Sequence, residues 1–138
     1  MIVVDTNVIA YFLIPGTLSD LAEAVWSKDA SWAVPRLWRS EMRNMLALYH
    51  RRKILALAEI QDLMSNAEKL LAGREYDVGS AGVLDLAAHS GCTAYDCEFV
   101  YLADELSVPL ITSDSKLLTS FSDTAISMES FISLLPGT

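Results

Sequence analysis

Ile2-Val3-Val4-Asp5-Thr6-Asn7 is the stretch whose reading decides the fold. Three β-branched residues without polar alternation have the pattern of a strand covered on both faces, which is the habit of parallel sheets. Asp5 closes the run, and Asp5-Thr6-Asn7 opens an apolar helix through Leu13 that stops at Pro15-Gly16. The same strand-to-helix step recurs along the chain. Trp32-Ala33-Val34 is a second strand, with Pro35 expected as the first residue of a helix to about Arg52. Tyr76-Asp77-Val78 is a possible third strand before a helix over Ser80 to Ser90, with Gly91 past its end. Pro109-Leu110-Ile111-Thr112 precedes a short helix from Asp114 to Ser120, and Ala125-Ile126-Ser127 precedes a terminal turn over Ser130 to Leu135. Further helices are expected from the capping-box pattern Thr17 to Asp20 as far as about Ser27, over Ala56 to Ala72 closed by Gly73, and from the capping-box pattern Thr93 to Asp96 as far as about Leu106. Short apolar strands alternating with helices predict the α/β class: a three-layer α/β/α sandwich on a mainly parallel sheet, one domain over 1–138.

Composition narrows the class. With 138 residues, 52% of them hydrophobic, one domain has enough apolar mass for a proper core. The longest apolar run, Val8 to Ile14, has seven residues, against the roughly 20 that a membrane-spanning helix needs. No basic residue precedes Lys28, so that run lacks the charged flank of a secretion signal, and a cytoplasmic protein is expected. Cys92 and Cys97 read as free, packed thiols in a reducing compartment, and with His50 and His89 they offer no zinc-site spacing. The mean hydropathy of +0.31 and the three tryptophans Trp26, Trp32 and Trp38 suggest association through an apolar face, either a homodimer or a bound partner segment, or else a buried tryptophan set.

The net charge of −8 argues against nucleic acid until its distribution is considered. Arg36, Arg39, Arg43, Arg51, Arg52 and Lys53 fall within one segment beside the single acid Glu41, so that the segment carries +5 and the remainder −13. Such asymmetry makes either a basic patch on an acidic protein or an ordinary solvated helix surface.

Four acids stand apart from the rest. Ligands of open parallel sheets collect beyond the carboxyl ends of the strands, where Asp5 and Asp114 follow two of the apolar runs. Each is equally explained as a helix N-cap. Drawn at about 100° per residue, the helix after Pro35 carries Glu41 among Leu37, Trp38, Met45 and Leu48, with Arg39 and Arg43 opposite. A carboxylate on that face needs a partner; Arg52, on the same side, is one, and a metal ion is another. On the helix from Tyr95, Asp96 falls with the apolar face, while Glu98, Asp104 and Glu105 lie on the far side; the capping box with Thr93 also explains Asp96. Four carboxylates gathered at one point would repel and stay partly protonated unless a hard cation, Mg²⁺ or Mn²⁺, sat among them.

These residues resemble the motifs of the PIN-domain family, in particular its VapC-like toxins, over nearly the whole chain. Ile2 to Asn7 is similar to the family's first strand and DTN turn, and Glu41 with Asn44 and Leu46 to its second acidic motif. Thr93 to Ala103 is similar to the third, the most distinctive, and Pro109 to Leu117 to the fourth. The resemblance implies a PIN-like fold and a Mg²⁺- or Mn²⁺-dependent endoribonuclease whose metal-binding acids are Asp5, Glu41, Asp96 and Asp114, supported by Thr6, Asn7 and Thr112. It implies RNA as substrate, an antitoxin protein as partner, and a homodimer. Arg51, Arg52 and Lys53 are the RNA-binding candidates. Some relatives carry a further acid just after the fourth motif, where this chain has Lys116. A housekeeping RNA-processing nuclease and a non-catalytic PIN-like scaffold are the alternatives. A phosphoacceptor domain would need paired acids after the first strand, where Thr6-Asn7 stand.

Overall fold

The structure, a computed structural model, describes residues 1–135. Five short parallel strands, β1 (Ile2–Val4), β2 (Trp32–Pro35), β3 (Glu75–Tyr76), β4 (Leu110–Ile111) and β5 (Ala125–Ile126), form one sheet in the order β3-β2-β1-β4-β5. The chain winds outward from β1 to β2 and β3, then returns to the other side of β1 for β4 and β5. The order therefore reverses between β1 and β4, where Val4 pairs with Ile111, and a crevice opens beyond their carboxyl ends. The helices are α1 (Thr6–Leu13), α2 (Ser19–Lys28), α3 (Trp38–Arg51), α4 (Leu57–Leu70), α5 (Ser80–Ser90), α6 (Ala94–Leu106), α7 (Ser115–Ser120) and α8 (Met128–Ser133). α6 lies across β1, β2 and β4 with α5 on its flank, while α1, α2, α3 and α4 pack on one another, giving the three-layer sandwich.

Where boundaries differ from expectation, local chemistry explains why. Pro35 ends β2 instead of opening α3, because a proline nitrogen at a strand end forfeits no needed donor; the helix starts at Trp38. Thr17 does not cap α2. The Ser19 hydroxyl instead accepts from the Gly16 amide and donates to the Ile14 carbonyl, closing the α1–α2 turn. The last helix starts at Met128, two residues earlier than expected, because Ser127 caps it by accepting from the Ser130 amide.

The tryptophans belong to the core. Trp32 and Trp38 are fully buried, and Phe12, Trp26 and Trp32 form an aromatic cluster with ring centroids 5.0 to 5.2 Å apart. Each buried indole N–H finds an acceptor, Trp32 on the Asp29 carbonyl and Trp38 on Glu75 Oε2. Of the two readings of the tryptophans, the buried set holds for Trp32 and Trp38, with Trp26 partly buried against them.

Glu75 is the hub of the sheet's β3 edge. Its Oε2 accepts from Trp38 and, at 2.6 Å, from Arg39 Nε; its Oε1 accepts from Arg39 Nη2; Arg39 Nη1 reaches Glu68 Oε2. Arg39 is thus a structural cation, and Arg36 is paired with Asp77. The Arg39 guanidinium holds the Glu75 carboxyl down to about 2. A carboxyl with a depressed folded pKa contributes stability above its unfolded value of 4.5 and loses it as the pH falls through about 2. Glu75→Gln should cost about 2 kcal/mol at pH 7. In melting curves the gap to wild type should close between pH 4.5 and 2, and a gap independent of pH would refute the ion-pair account.

Gly82, in the first turn of α5, packs directly against Tyr101 of α6. A Cβ there would stand 1.9 Å from Cε1 of Tyr101. Alanine would gain about 1 kcal/mol of helix propensity, but displacing a half-buried ring at overpacked contacts costs about 1–3 kcal/mol. Gly82→Ala should therefore destabilise the wild-type protein, and should be neutral or stabilising in a Tyr101→Ala background, as urea titrations of the four proteins would reveal.

Candidate active site

All four singled-out acids line one pocket of about 80 Å³, together with Thr6, Asn7, Met45 and Leu117. Asp5 follows β1 and caps α1: its Oδ1 accepts from the Val8 amide at 3.1 Å. Its Oδ2 accepts from the Thr112 hydroxyl, which is fully buried and itself accepts from the Asp114 amide at 3.0 Å. One hydroxyl thereby ties the ends of β1 and β4 across the point where the strand order reverses. Asp114 caps α7 by accepting from the Leu117 amide. Asp96 lies in the first turn of α6, its amide donating to the Thr93 hydroxyl. Glu41 reaches in from α3, and Thr6 Oγ1 donates to its Oε1 at 2.7 Å, joining α1 to α3. Capping and membership of the pocket are therefore not rival explanations: an acid at a helix N-terminus can do both.

Electrostatics set these carboxyls apart. Burial pushes Asp5 up to about 6 against the hydrogen bonds from Thr112 and Val8, with the charges of Asp96 and Asp114 adding to the rise. Glu41 is raised by its own burial and then by Asp96 and Glu98, against the Thr6 bond. Asp96 is raised by burial and by Asp114, with Lys116 acting the other way. None of the four forms an ion pair among the described residues. Arg52, weighed as a partner for Glu41, is exposed and apart from it. Lys116 donates its ammonium to the Gly91 carbonyl.

Glu98 departs from expectation. Instead of facing solvent it is half-buried, raised by burial, and close enough to act on Glu41. The cause is α5, which covers the flank of α6 that a helix drawn in isolation leaves open: Glu98 lines a second pocket with Val83 and Leu84. Tyr95, in the same first turn as Asp96, is 63% exposed.

The donor set fits a hard divalent cation. Carboxylates without cationic partners, three of them raised first by burial and then by neighbouring acids, are relieved by positive charge. Among the described residues no three Asp, Glu, His or Cys side chains stand together closely enough to hold a metal ion by themselves; Mg²⁺ keeps several waters and takes one or two carboxylates directly. Asp5, Glu41, Asp96 and Asp114 would hold it.

A family model described as PIN domain matches residues 2–125. Among curated proteins, Ribonuclease VapC3 of Pyrobaculum aerophilum is 28% identical over 123 residues, 87% of this chain and 94% of that protein. Among solved structures, PAE2754 from Pyrobaculum aerophilum is similar with a TM-score of 0.74 at 20% identity, covering 94% of this chain and 92% of that one. FitAB bound to an IR36 DNA fragment has a TM-score of 0.73 at 20% identity, both chains being covered completely. FitAcB from Neisseria gonorrhoeae has a TM-score of 0.68 at 19% identity, over 94% and 99% of the two chains. With the family model running from β1 to the start of β5 and four acids gathered where the strand order reverses, the chain belongs to the PIN-domain family.

Proposed function

We propose that this protein is an endoribonuclease that hydrolyses RNA phosphodiester bonds at the four-acid pocket, requires Mg²⁺ or Mn²⁺, and is the toxin of a toxin–antitoxin pair. The observation that carries the reading is the pocket itself: carboxylates from four separate elements, none ion-paired, at a strand-order reversal. The name of the VapC3 relative supports RNA as the substrate.

A divalent cation in the pocket supplies positive charge against the phosphate and acidifies a water for attack. Everything else falls to the chain's own groups. Val8 N–H and the Thr112 hydroxyl lock Asp5 in one orientation, so its remaining lone pairs are aimed before any ligand arrives. Asp96 and Asp114 face it from α6 and α7. Thr6 holds Glu41 by Oε1 and leaves Oε2 open. With its proton affinity raised, Glu41 is suited to orient the attacking water and accept its proton. Asn7 offers an exposed amide at the pocket edge. Arg51, Arg52 and Lys53, exposed at the end of α3, attract the RNA backbone that the acids repel.

An antitoxin and a homodimer are part of this reading. The apolar side chains for such contacts are Leu48, Ile54 and Leu57 around the α3–α4 turn, all exposed. No helix among the described residues is long and apolar enough to cross a membrane, and a cytoplasmic location is proposed with the RNA substrate.

Purified protein incubated with single-stranded RNA should cleave it with Mg²⁺ or Mn²⁺ and stop with EDTA. Failure to cleave RNA under every cation would overturn the assignment in favour of a non-catalytic scaffold. Expression should be toxic, and relieved by a co-expressed partner; harmless expression of a chain active on RNA would favour a housekeeping nuclease.

A further inference from the structure

Two helical stripes run side by side out of the acid pocket. On α1, Thr6 and Asn7 line the pocket, and Ala10, Tyr11 and Ile14, further along the helix, line a neighbouring cleft of about 260 Å³. On α3, Glu41 and Met45 line the pocket and Tyr49 lines the cleft. Tyr11 also touches the acid site, its hydroxyl 3.3 Å from that of Ser113, the residue before Asp114. Both tyrosines are half-buried, and no charged side chain lines the cleft. Beyond Tyr49, α3 ends in Arg51, Arg52 and Lys53, exposed and without an ion pair among the described residues. The helix rise puts Tyr49 about 12 Å and Arg52 about 16 Å along the axis from Glu41.

We propose that this cleft is a nucleobase subsite: a base flanking the scissile phosphate stacks on Tyr49, with Tyr11 alongside, and the backbone leaves over Arg52 and Lys53. An uncharged aromatic slot followed by free cations is the chemistry that grips single strands, because every base has a π-face and the cations take phosphates. A base held in a duplex cannot enter, so the subsite selects single-stranded RNA. This inference rests on the ribonuclease reading above.

The test is cleavage kinetics on a single-stranded RNA oligonucleotide in Mn²⁺. Tyr49→Leu, which keeps an apolar side chain in the cleft but removes the flat ring, should raise KM about tenfold and leave kcat nearly unchanged, whereas Tyr49→Phe should behave as wild type. On the wild-type protein, removing one base flanking the cleaved bond should raise KM similarly, and Tyr49→Leu should suffer no further loss on that abasic RNA. Wild type that cleaves RNA while Tyr49→Leu keeps its KM, or while no abasic position raises it, overturns the subsite and leaves the ribonuclease reading standing. Wild type that cleaves no RNA overturns both.

Discussion

Asp5→Asn is expected to abolish RNA cleavage and, at neutral pH without metal, to make the protein more stable. Loss of a carboxylate at the centre of a metal-binding acid set removes several kcal/mol of transition-state stabilisation, a fall on the order of 10³-fold or more. The stability effect has the opposite sign. Asp5 is 8% exposed, and its carboxyl titrates near 6 in the fold against 3.8 when unfolded. A carboxyl whose folded pKa is raised costs stability above the folded value, and the cost vanishes as the pH falls below the unfolded one. The two-unit difference corresponds to roughly 3 kcal/mol. Asparagine keeps the acceptor for Val8 and obliges Thr112 to reorient, so about 2 kcal/mol should remain, a rise of about 5–10 °C in Tm. In EDTA, wild type should gain stability as the pH falls from 6 to 4, and Asp5→Asn should gain clearly less, keeping only the part owed to Glu41 and Asp96. Parallel pH profiles would mean that Asp5 carries no strain, and retained cleavage by a contaminant-free variant would remove it from the active site.

The second large effect is the response to metal. Mg²⁺ or Mn²⁺ at about 100 times its Kd should stabilise the wild-type protein by about 2.7 kcal/mol through mass action alone, a shift of about 5–10 °C. Asp96→Asn should raise the metal-free Tm slightly, since Asp96 and Asp114 repel, and should erase most of the metal-induced shift. The matched control is Glu105→Gln, exposed on the same helix. Glu98 cannot serve, since its charge reaches Glu41. Equal metal shifts in wild type, Asp96→Asn and Glu105→Gln would reduce Asp96 to a helix cap and separate it from the other three acids.

The two experiments report different things. Asp5 tests whether burial and repulsion are stored at the end of β1, which needs no ligand. Asp96 tests whether the acids act together toward a cation, which needs no substrate. Agreement between them would establish one site before any RNA is added.

Much of this was legible one residue at a time. Unbroken β-branched runs such as Ile2-Val3-Val4 mark strands covered on both faces whatever surrounds them, so the parallel α/β class follows from local pattern. Thr93 and Asp114 carry their own capping chemistry, and α6 and α7 begin directly after them. The inward bias of Glu41 and Asp96 followed from helical periodicity alone. Pairing across the sheet was not local. Nothing in sequence brings Thr112 to Asp5, 107 positions away, or Arg39 to Glu75, and it is the second of these contacts that makes Arg39 a structural cation. Glu98 shows the limit most clearly. A helix drawn alone has one buried side, but α6 has the sheet on one flank and α5 on another, so burial on its second flank depends on a neighbour that periodicity does not contain. Sequence thus determined which elements form and which acids could face inward, because those follow from intervals of two to four residues. Only the tertiary structure decided which charges meet, because a charge is neutralised or strained by whatever the fold sets beside it.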